Sequence, residues 1–355
     1  MKARTHIDGK TLDWLCEWNN PPVRYLTLKN FAGKTERALK KESARINLYS
    51  IIKAILKQQK TFWGKDKNLY RKYKGGYWNL IFLGDLFADG RDRIIRDGVE
   101  FILADGLWHK RIDEYSTTWI CLSSNITRAI ANLGYAEDPR VQTHTENIAK
   151  AIVQHDGIVC TVMDYSFLPQ CHMALPKVLM ALGSYTGKKR IVKQAIKITS
   201  EKLLERDIFR YIPESQEKWN ENYERLSVKL EAKRSESKAG KTLKAELAAI
   251  RPMILKQNRS FKPKPGWLKF GYPLHYNSDI LEAMRSLIDV GIKYDKRMDD
   301  ALDVIEENRL PDGTWKLGFS LNGKMWIDIE KRGQPSKWIT YHALRVLKTY
   351  GRVKL

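Results

Sequence analysis

The side chains best suited to metal chemistry are three cysteines and a histidine: Cys121, Cys160 and the adjacent pair Cys171 and His172. Cys121 stands nineteen residues before Arg140 and Cys171 nineteen before Arg190, so the two thiols hold equivalent places relative to a recurring arginine. Thiolate sulfur and imidazole nitrogen bind zinc at about 2.0–2.3 Å in tetrahedral sites. Cys121, Cys160, Cys171 and His172 together would close the shell and make the ion structural. Without Cys160 one position stays open for water or a thiol, which the ion would acidify into a nucleophile. Free cysteine is also among the most buried residue types, so the same thiols can be read as small apolar core groups or as redox groups. Pro176 places a helix start close by, which puts Cys171 and His172 in the preceding loop.

A second group combines aromatic residues and cations near the C-terminal end. Trp267, Tyr272, His275, Tyr276 and Trp338 could line an apolar cavity suited to an isoprenoid chain. Lys324, Arg332 and Lys337, near the start of the last helix, could receive a diphosphate. The plainer alternative is core aromatics and solvated lysines. Carboxylates offer a third pattern: Asp299, Asp300 and Asp303 satisfy D-D-x-x-D, a spacing that shares a helix face and with which prenyl-chain enzymes hold magnesium. Acidic residues in a first helical turn are equally expected from the helix dipole. The acid motif D-x-D-D is absent; the nearest phrase, Asp295 to Asp300, has the wrong spacing. His109, His144, His155 and His342 have no partner at a telling spacing and receive no role.

The elements that must carry these residues follow from a repeat. Helical patterns open near Arg45, Arg93, Arg140 and Arg190, at intervals of 48, 47 and 50 residues, and again near Arg297, 107 residues later. A period near fifty fits two helices of about fifteen residues and two turns, a helical hairpin. Each arginine begins an amphipathic run with one wet face, such as Ile94, Val99, Ile102 and Leu103. Between them lie segments apolar nearly all round: Tyr77 to Ala88, Ile120 to Leu133, Leu175 to Leu182 and Trp338 to Leu347. Such helices must be buried, so the expected architecture is all-α, an α/α toroid of five to six hairpins with inner and outer helices. An open solenoid has a similar period, and the turns favour closure. Asp105-Gly106-Leu107-Trp108 and Asp312-Gly313-Thr314-Trp315 share D-G-x-W, with Gln154 to Val159 a degenerate third copy; glycine ends the outer helix and tryptophan can cover the end of the barrel. The long interval reflects a charged insertion over residues 212–262, read as a solvated excursion or as a docking arm for an acidic partner. Residues 1–42 then form an N-terminal segment packing on a toroid of residues 43–355.

Sixty-three Lys and Arg against forty-one Asp and Glu leave a net charge of +22, which favours phosphates and acidic partners. No zinc-finger or RNA-recognition signature accompanies it, which argues against nucleic acid. Four cysteines without a C-x-x-C pair are too few for a disulfide framework, and no run of eighteen apolar residues occurs. A cytoplasmic protein without a transmembrane segment is expected.

The D-G-x-W turns at near-fifty spacing resemble the repeats of squalene cyclases, other terpenoid cyclases and the β subunits of protein prenyltransferases. The resemblance covers the chain from about Ser43 onward, apart from the insertion. The C-terminal run from Asp312 through Trp315, and from Gly333 to Thr340, is similar to the end of an uncharacterised prokaryotic branch of that superfamily. The arrangement of Trp119, Ile120 and Cys121 with Cys171 and His172 also resembles the zinc site of lanthionine-synthetase cyclases, which share the toroid. These resemblances imply zinc as cofactor and a transferase or cyclase that activates a thiol toward an isoprenoid, other unsaturated electrophile or peptide substrate. The alternatives are a terpenoid-cyclase relative without the usual acid, and a non-catalytic basic toroid that binds an acidic partner.

Overall fold

The computed structural model describes residues 5–59, 69–105, 119–158, 171–211, 242 and 262–354. Within them the protein is all-α, with thirteen α-helices and only two-residue strands. The helices are α1 (Gly9–Leu15), α2 (Pro21–Asn30), α3 (Glu36–Ser43), α4 (Ser50–Gln59), α5 (Gly76–Asp85), α6 (Arg93–Asp105) and α7 (Ile120–Ile130). They continue as α8 (Pro139–Gln154), α9 (Leu175–Gly183), α10 (Arg190–Leu204), α11 (Ile280–Asp289), α12 (Asp299–Glu307) and α13 (Lys337–Thr349). The strands are β1 (Thr5–His6), β2 (Arg210–Tyr211), β3 (Lys262–Pro263) and β4 (Val353–Lys354). Among these residues no helix is long and apolar enough to cross a membrane.

The helices divide by burial as their sequences require. Every residue from Leu175 to Leu182 of α9, and from Leu122 to Ile130 of α7, is buried. By contrast α8 buries only a stripe that includes Val141, Thr145, Ile148 and Ile152, and α12 buries Ala301, Leu302 and Ile305. The buried helices follow one another side by side: α5 packs on α7, α7 on α9, α9 on α11, α11 on α13, and α13 on α2. The amphipathic helices back them, α6 on α5, α8 on α7 and α9, α10 on α9, and α12 on α11 and α13. Gly84 lets α5 and α7 touch, since a Cβ there would lie 2.6 Å from the Ala129 Cα. At the chain ends β1 pairs with β4 in parallel, Thr5 opposite Val353.

The recurring basic residue has a physical role. Asp138 caps α8, accepts from the Arg140 amide at 2.8 Å and binds the Arg140 guanidinium, which reaches back to Glu100 of α6 at 2.9 Å. Asp295 and Arg297 repeat the device, with Arg297 bound to Glu201 of α10. Before α10 the part is taken by Lys189, 2.6 Å from Glu146 of α8. Arg93 instead lies 3.8 Å from Asp97 in its own helix. Two helix openings differ from expectation: Arg45 precedes a single 3₁₀ turn (Ile46–Leu48) with α4 starting at Ser50, and Arg297 sits in a 3₁₀ turn (Lys296–Met298) ahead of α12.

Of the D-G-x-W turns, the last is fully described. Gly313 has φ +84°, and Trp315 is wholly buried, its indole N–H donating to the Ile305 carbonyl at 2.7 Å. Residues 106–108 of the first copy and Val159 of the degenerate one lie outside the described residues. The insertion also lies outside them apart from Thr242 and its end, but its flanks are joined: β2 and β3 pair antiparallel, Arg210 opposite Pro263 and Tyr211 opposite Lys262.

Candidate ligand cavity

One cavity of about 410 Å³ is lined by residues from all six of the buried helices α2, α5, α7, α9, α11 and α13 and by the loop that includes Gly271, Tyr272 and His275. Several of them contribute their last turn: Lys29 and Asn30 of α2, Asp85 of α5, Arg128 of α7, Gly183 of α9 and Asp289 of α11. Helix C-termini carry partial negative charge, so basic side chains are favoured here.

The loop is held by the start of α11. Asp279 caps that helix, one carboxylate oxygen accepting from the Glu282 amide and the other from the Gly271 amide, each at 2.8 Å. Burial pushes the Asp279 carboxyl up to about 7, against the lowering effect of those two amides. A Cβ on Gly271 would meet Phe319 Cδ1 at 2.8 Å and Leu274 Cδ2 at 2.9 Å, so a larger residue would have to push both side chains aside. His275 has φ +50°, the left-handed region that non-glycine residues seldom adopt. Asn125 of α7 donates to the His275 carbonyl at 2.9 Å, and Tyr73 stacks on its imidazole with centroids 5.6 Å apart.

Charges in and beside the cavity are mostly paired. Arg128 binds Asp85, Arg345 binds Asp289 at 2.6 Å, and the fully buried Lys177 Nζ lies 2.6 and 2.7 Å from the two Glu282 oxygens and 2.8 Å from the Asn277 carbonyl. Arg285, on α11 one turn after Glu282, lines the same space and has no acidic partner within ion-pair distance among the described residues.

The hydrogen-bonding groups are not all paired. Among the described residues, eight buried side-chain atoms without a hydrogen-bond partner belong to cavity-lining residues: Arg128 Nε, Tyr272 Oη, both ring nitrogens of His275 and of His342, Arg285 Nε and Trp338 Nε1. Burial pulls the His275 imidazole down to about 3 and His342 well below its ordinary range, so both are neutral at pH 7. Each then offers one donor and one acceptor. Burial also raises the Tyr272 phenol well above its usual value, and it remains O–H. Tyr272 stacks on Trp338, centroids 4.0 Å apart and 12° from parallel, with His342 at 6.4 and 6.0 Å from the two.

Thus the cavity takes up Tyr272, His275 and Trp338 from the group singled out in the sequence. Tyr276 lies beyond His275, packed on Trp78 at 4.6 Å with its hydroxyl 3.1 Å from that of Tyr70. Trp267 is buried and stacks on His172 at 4.5 Å. The three cations fall elsewhere: Lys324 is exposed, Arg332 donates to the Gly318 carbonyl at 3.1 Å, and Lys337 binds Glu17 at 2.7 Å and Asn19 at 2.6 Å. Arg128, Arg285, Arg345 and His342 take their place, and none was singled out by the motifs. The signal that could have found them is a polar residue inside a helix apolar on every side; on α13, Trp338, Tyr341, His342 and Arg345 form one stripe at helical spacing.

Cys121 and Cys171 are not among the residues that line the cavity. Cys121, in the first turn of α7, is half-buried and acts electrostatically on Tyr276, while Cys171 precedes α9 and acts on Lys264. His172 is buried, and because a carbonyl only accepts, its Nε2 carries the proton donated to Ile208 at 2.8 Å. Nδ1 keeps its lone pair and has no partner among the described residues. Burial, Arg206 and Lys264 all depress the His172 imidazole. No group of three or more His, Cys, Asp and Glu side chains among the described residues is placed to share a metal ion. Cys121, Cys171 and His172 do not by themselves make a zinc site, and Cys160 lies outside the described residues. The D-D-x-x-D carboxylates are engaged by arginines: Arg352 binds Asp299 and Asp303, each at 2.8 Å, and Asp300 binds Arg210. Of the histidines left without a role, His144 is a core residue whose Nε2 lies 2.6 Å from the Ser123 hydroxyl. Comparison of the chain with protein-family models, curated proteins and solved structures finds no match.

Proposed function

We propose that the buried helices close into an α/α toroid, with α2 as the sixth inner helix, and that its central cavity is a small-molecule site served by neutral acid–base groups. The closure is supported by the packing of α13 on α2 and by a single cavity that all six helices line. The observation that carries the function is the gathering of unpaired polar atoms around it, eight on residues that line this one cavity. A buried polar atom left without a partner costs about 1–3 kcal/mol, so a ligand or solvent must supply the bonds. A volume near 410 Å³ falls in the range of small-ligand pockets. His275 and His342 can each accept a proton at one nitrogen and donate at the other, and Tyr272 can donate. This lining is more polar than an isoprenoid chain requires, which turns the reading away from terpenoid cyclisation. The test is a thermal-shift screen of the purified protein against small polar metabolites, repeated on Tyr272→Phe and His342→Asn. Hits that stabilise the wild type and lose their effect in both variants support the reading; hits indifferent to both overturn it. An experimental structure with an open superhelix would remove the toroid.

A second reading retains zinc, favoured by one observation: the buried Nδ1 lone pair of His172 beside Cys171. With Arg206 and Lys264 close by, the ion would need thiolate charge, which Cys121, Cys160 and Cys171 could supply. Metal analysis of protein purified without chelator or added zinc decides it. Stoichiometric zinc that is lost in Cys121→Ala supports this reading, and metal-free, fully folded protein ends it.

A further inference from the structure

We infer that the cavity selects a compact organic anion bearing a single negative charge, a carboxylate, with Arg285 as its counter-ion. This rests on the cavity being the ligand site and goes on to the charge and chemistry of what enters. Three cations in or beside the cavity are balanced by three carboxylates: Arg128 by Asp85, Arg345 by Asp289 and Lys177 by Glu282. Arg285 is left over, and a guanidinium cannot shed its charge by deprotonation. Asp279, on which it acts electrostatically, spends its carboxylate oxygens on two backbone amides. Arg285 lines the same cavity as the stacked Tyr272–Trp338 pair and acts electrostatically on Tyr272, Tyr341 and His342.

The other polar groups add direction without adding charge. His275 and His342 are neutral, Trp338 offers an N–H and Tyr272 an O–H. Among the described residues the cavity wall therefore carries the half-buried Arg285 without a carboxylate partner, with Lys29 exposed at the rim, and one negative charge at the guanidinium neutralises it. A carboxylate matches the planar guanidinium fork with two parallel hydrogen bonds and leaves further lone pairs for the indole and phenol donors. A diphosphate would bring two or three charges to a wall where, among the described residues, Arg285 is the one unpaired cation away from the exposed rim, and the excess would be buried without a partner. The flat Tyr272–Trp338 stack gives the apolar body of such a ligand a surface to lie on. Lys29, exposed at the rim, draws anions toward the opening.

The test uses the full chain with benzoate, its neutral isostere benzamide, inorganic phosphate and pyrophosphate, measured by calorimetry and thermal shift. Benzoate is expected to bind at least tenfold more tightly than benzamide and than either phosphate. Arg285→Gln should remove that preference, and Arg332→Gln, a surface control, should keep it. Arg285→Lys retains the charge but loses the fork and should show an intermediate preference; it also serves if Arg285→Gln fails to fold. Benzamide binding as tightly as benzoate, or pyrophosphate binding more tightly, overturns the inference while leaving the cavity as a ligand site. Benzoate bound equally by Arg285→Gln and wild type means an adventitious additive only, and also overturns it. Protein that binds none of the four, while the metabolite screen yields neutral ligands sensitive to Tyr272→Phe, rejects the carboxylate and keeps the cavity. Silence in both assays rejects both.

Discussion

Replacing Lys177 with methionine tests whether the polar interior is a balanced system of charges. Lys177 is fully buried in α9, and its ammonium makes three contacts, two to Glu282 and one to the Asn277 carbonyl. Methionine keeps an unbranched apolar stem but removes the charge, leaving Glu282, 5% exposed, as a buried carboxylate without its counter-ion. Removing one member of such a pair costs about 3–5 kcal/mol. With a urea dependence of about 3 kcal/mol/M, the unfolding midpoint should fall by about 1–1.7 M. The double variant Lys177→Met/Glu282→Leu has no orphan charge and should return to within about 1–2 kcal/mol of the wild type, because apolar replacement of a buried pair is often neutral or stabilising. Urea titrations followed by circular dichroism, arranged as a double-mutant cycle, give both numbers. A single variant within about 1 kcal/mol of the wild type, or a double variant as unstable as the single, would show that the ion pair is not what balances this interior.

Further expectations follow from the same interior. His172, His275 and His342 are held neutral in the fold, so the unfolded chain takes up their protons first, near pH 6.5, and stability falls as pH drops from there toward about 3. Asp279, pushed up to about 7, acts with opposite sign: it contributes most while protonated, and that contribution is lost as pH rises from about 4 through 7. Three protons outweigh one, so thermal midpoints measured across pH should peak near 6.5, and His342→Asn should flatten the acid limb; an unchanged acid limb in that variant refutes the assignment. Replacing residues 214–260 with a short Gly/Ser bridge should leave cooperative thermal unfolding intact, because β2 and β3 already join the flanks, and loss of cooperativity would show that the insertion contributes a core element. Gly271→Ala should cost about 1–3 kcal/mol through its clash with Phe319, whereas Gly266→Ala, with open space at its Cβ, should be nearly neutral; equal effects in urea unfolding would contradict the close approach.

The all-α class and the division of helices into buried and amphipathic sets were legible because both are written in periodicity. A helix such as α9, apolar on every side, has no face to give to water, and α8, with its single stripe, has one. The recurring arginine was legible as a mark of position but not as a mechanism. Its partner, Glu100 for Arg140, lies on the preceding amphipathic helix forty residues away, and no local pattern connects them. Helix openings near Arg45 and Arg297 were blurred because 3₁₀ turns there use the same apolar spacing as the helix that follows.

The candidate site was half legible, and the reason lies in direction. Tyr272, His275 and Trp338 were accessible to a reading based on residue type, since rings beside a buried helix tend to face its interior. Lys324, Arg332 and Lys337 were chosen for nearness to the start of α13, but sequence nearness does not say which way a side chain points. Lys337 is buried and still turns outward to Glu17, because the N-terminus of α13 is a poor place for a cation unless a carboxylate offsets the dipole. The cations that do face the cavity include Arg128, in the last turn of α7, where the helix dipole favours them, and Arg285 and Arg345, set within otherwise buried faces of α11 and α13. A cation in a helix that should be apolar all round is kept there only by a partner. Arg128 has Asp85 and Arg345 has Asp289, while the half-buried Arg285 has no acidic partner among the described residues and is the one in this set open to a ligand.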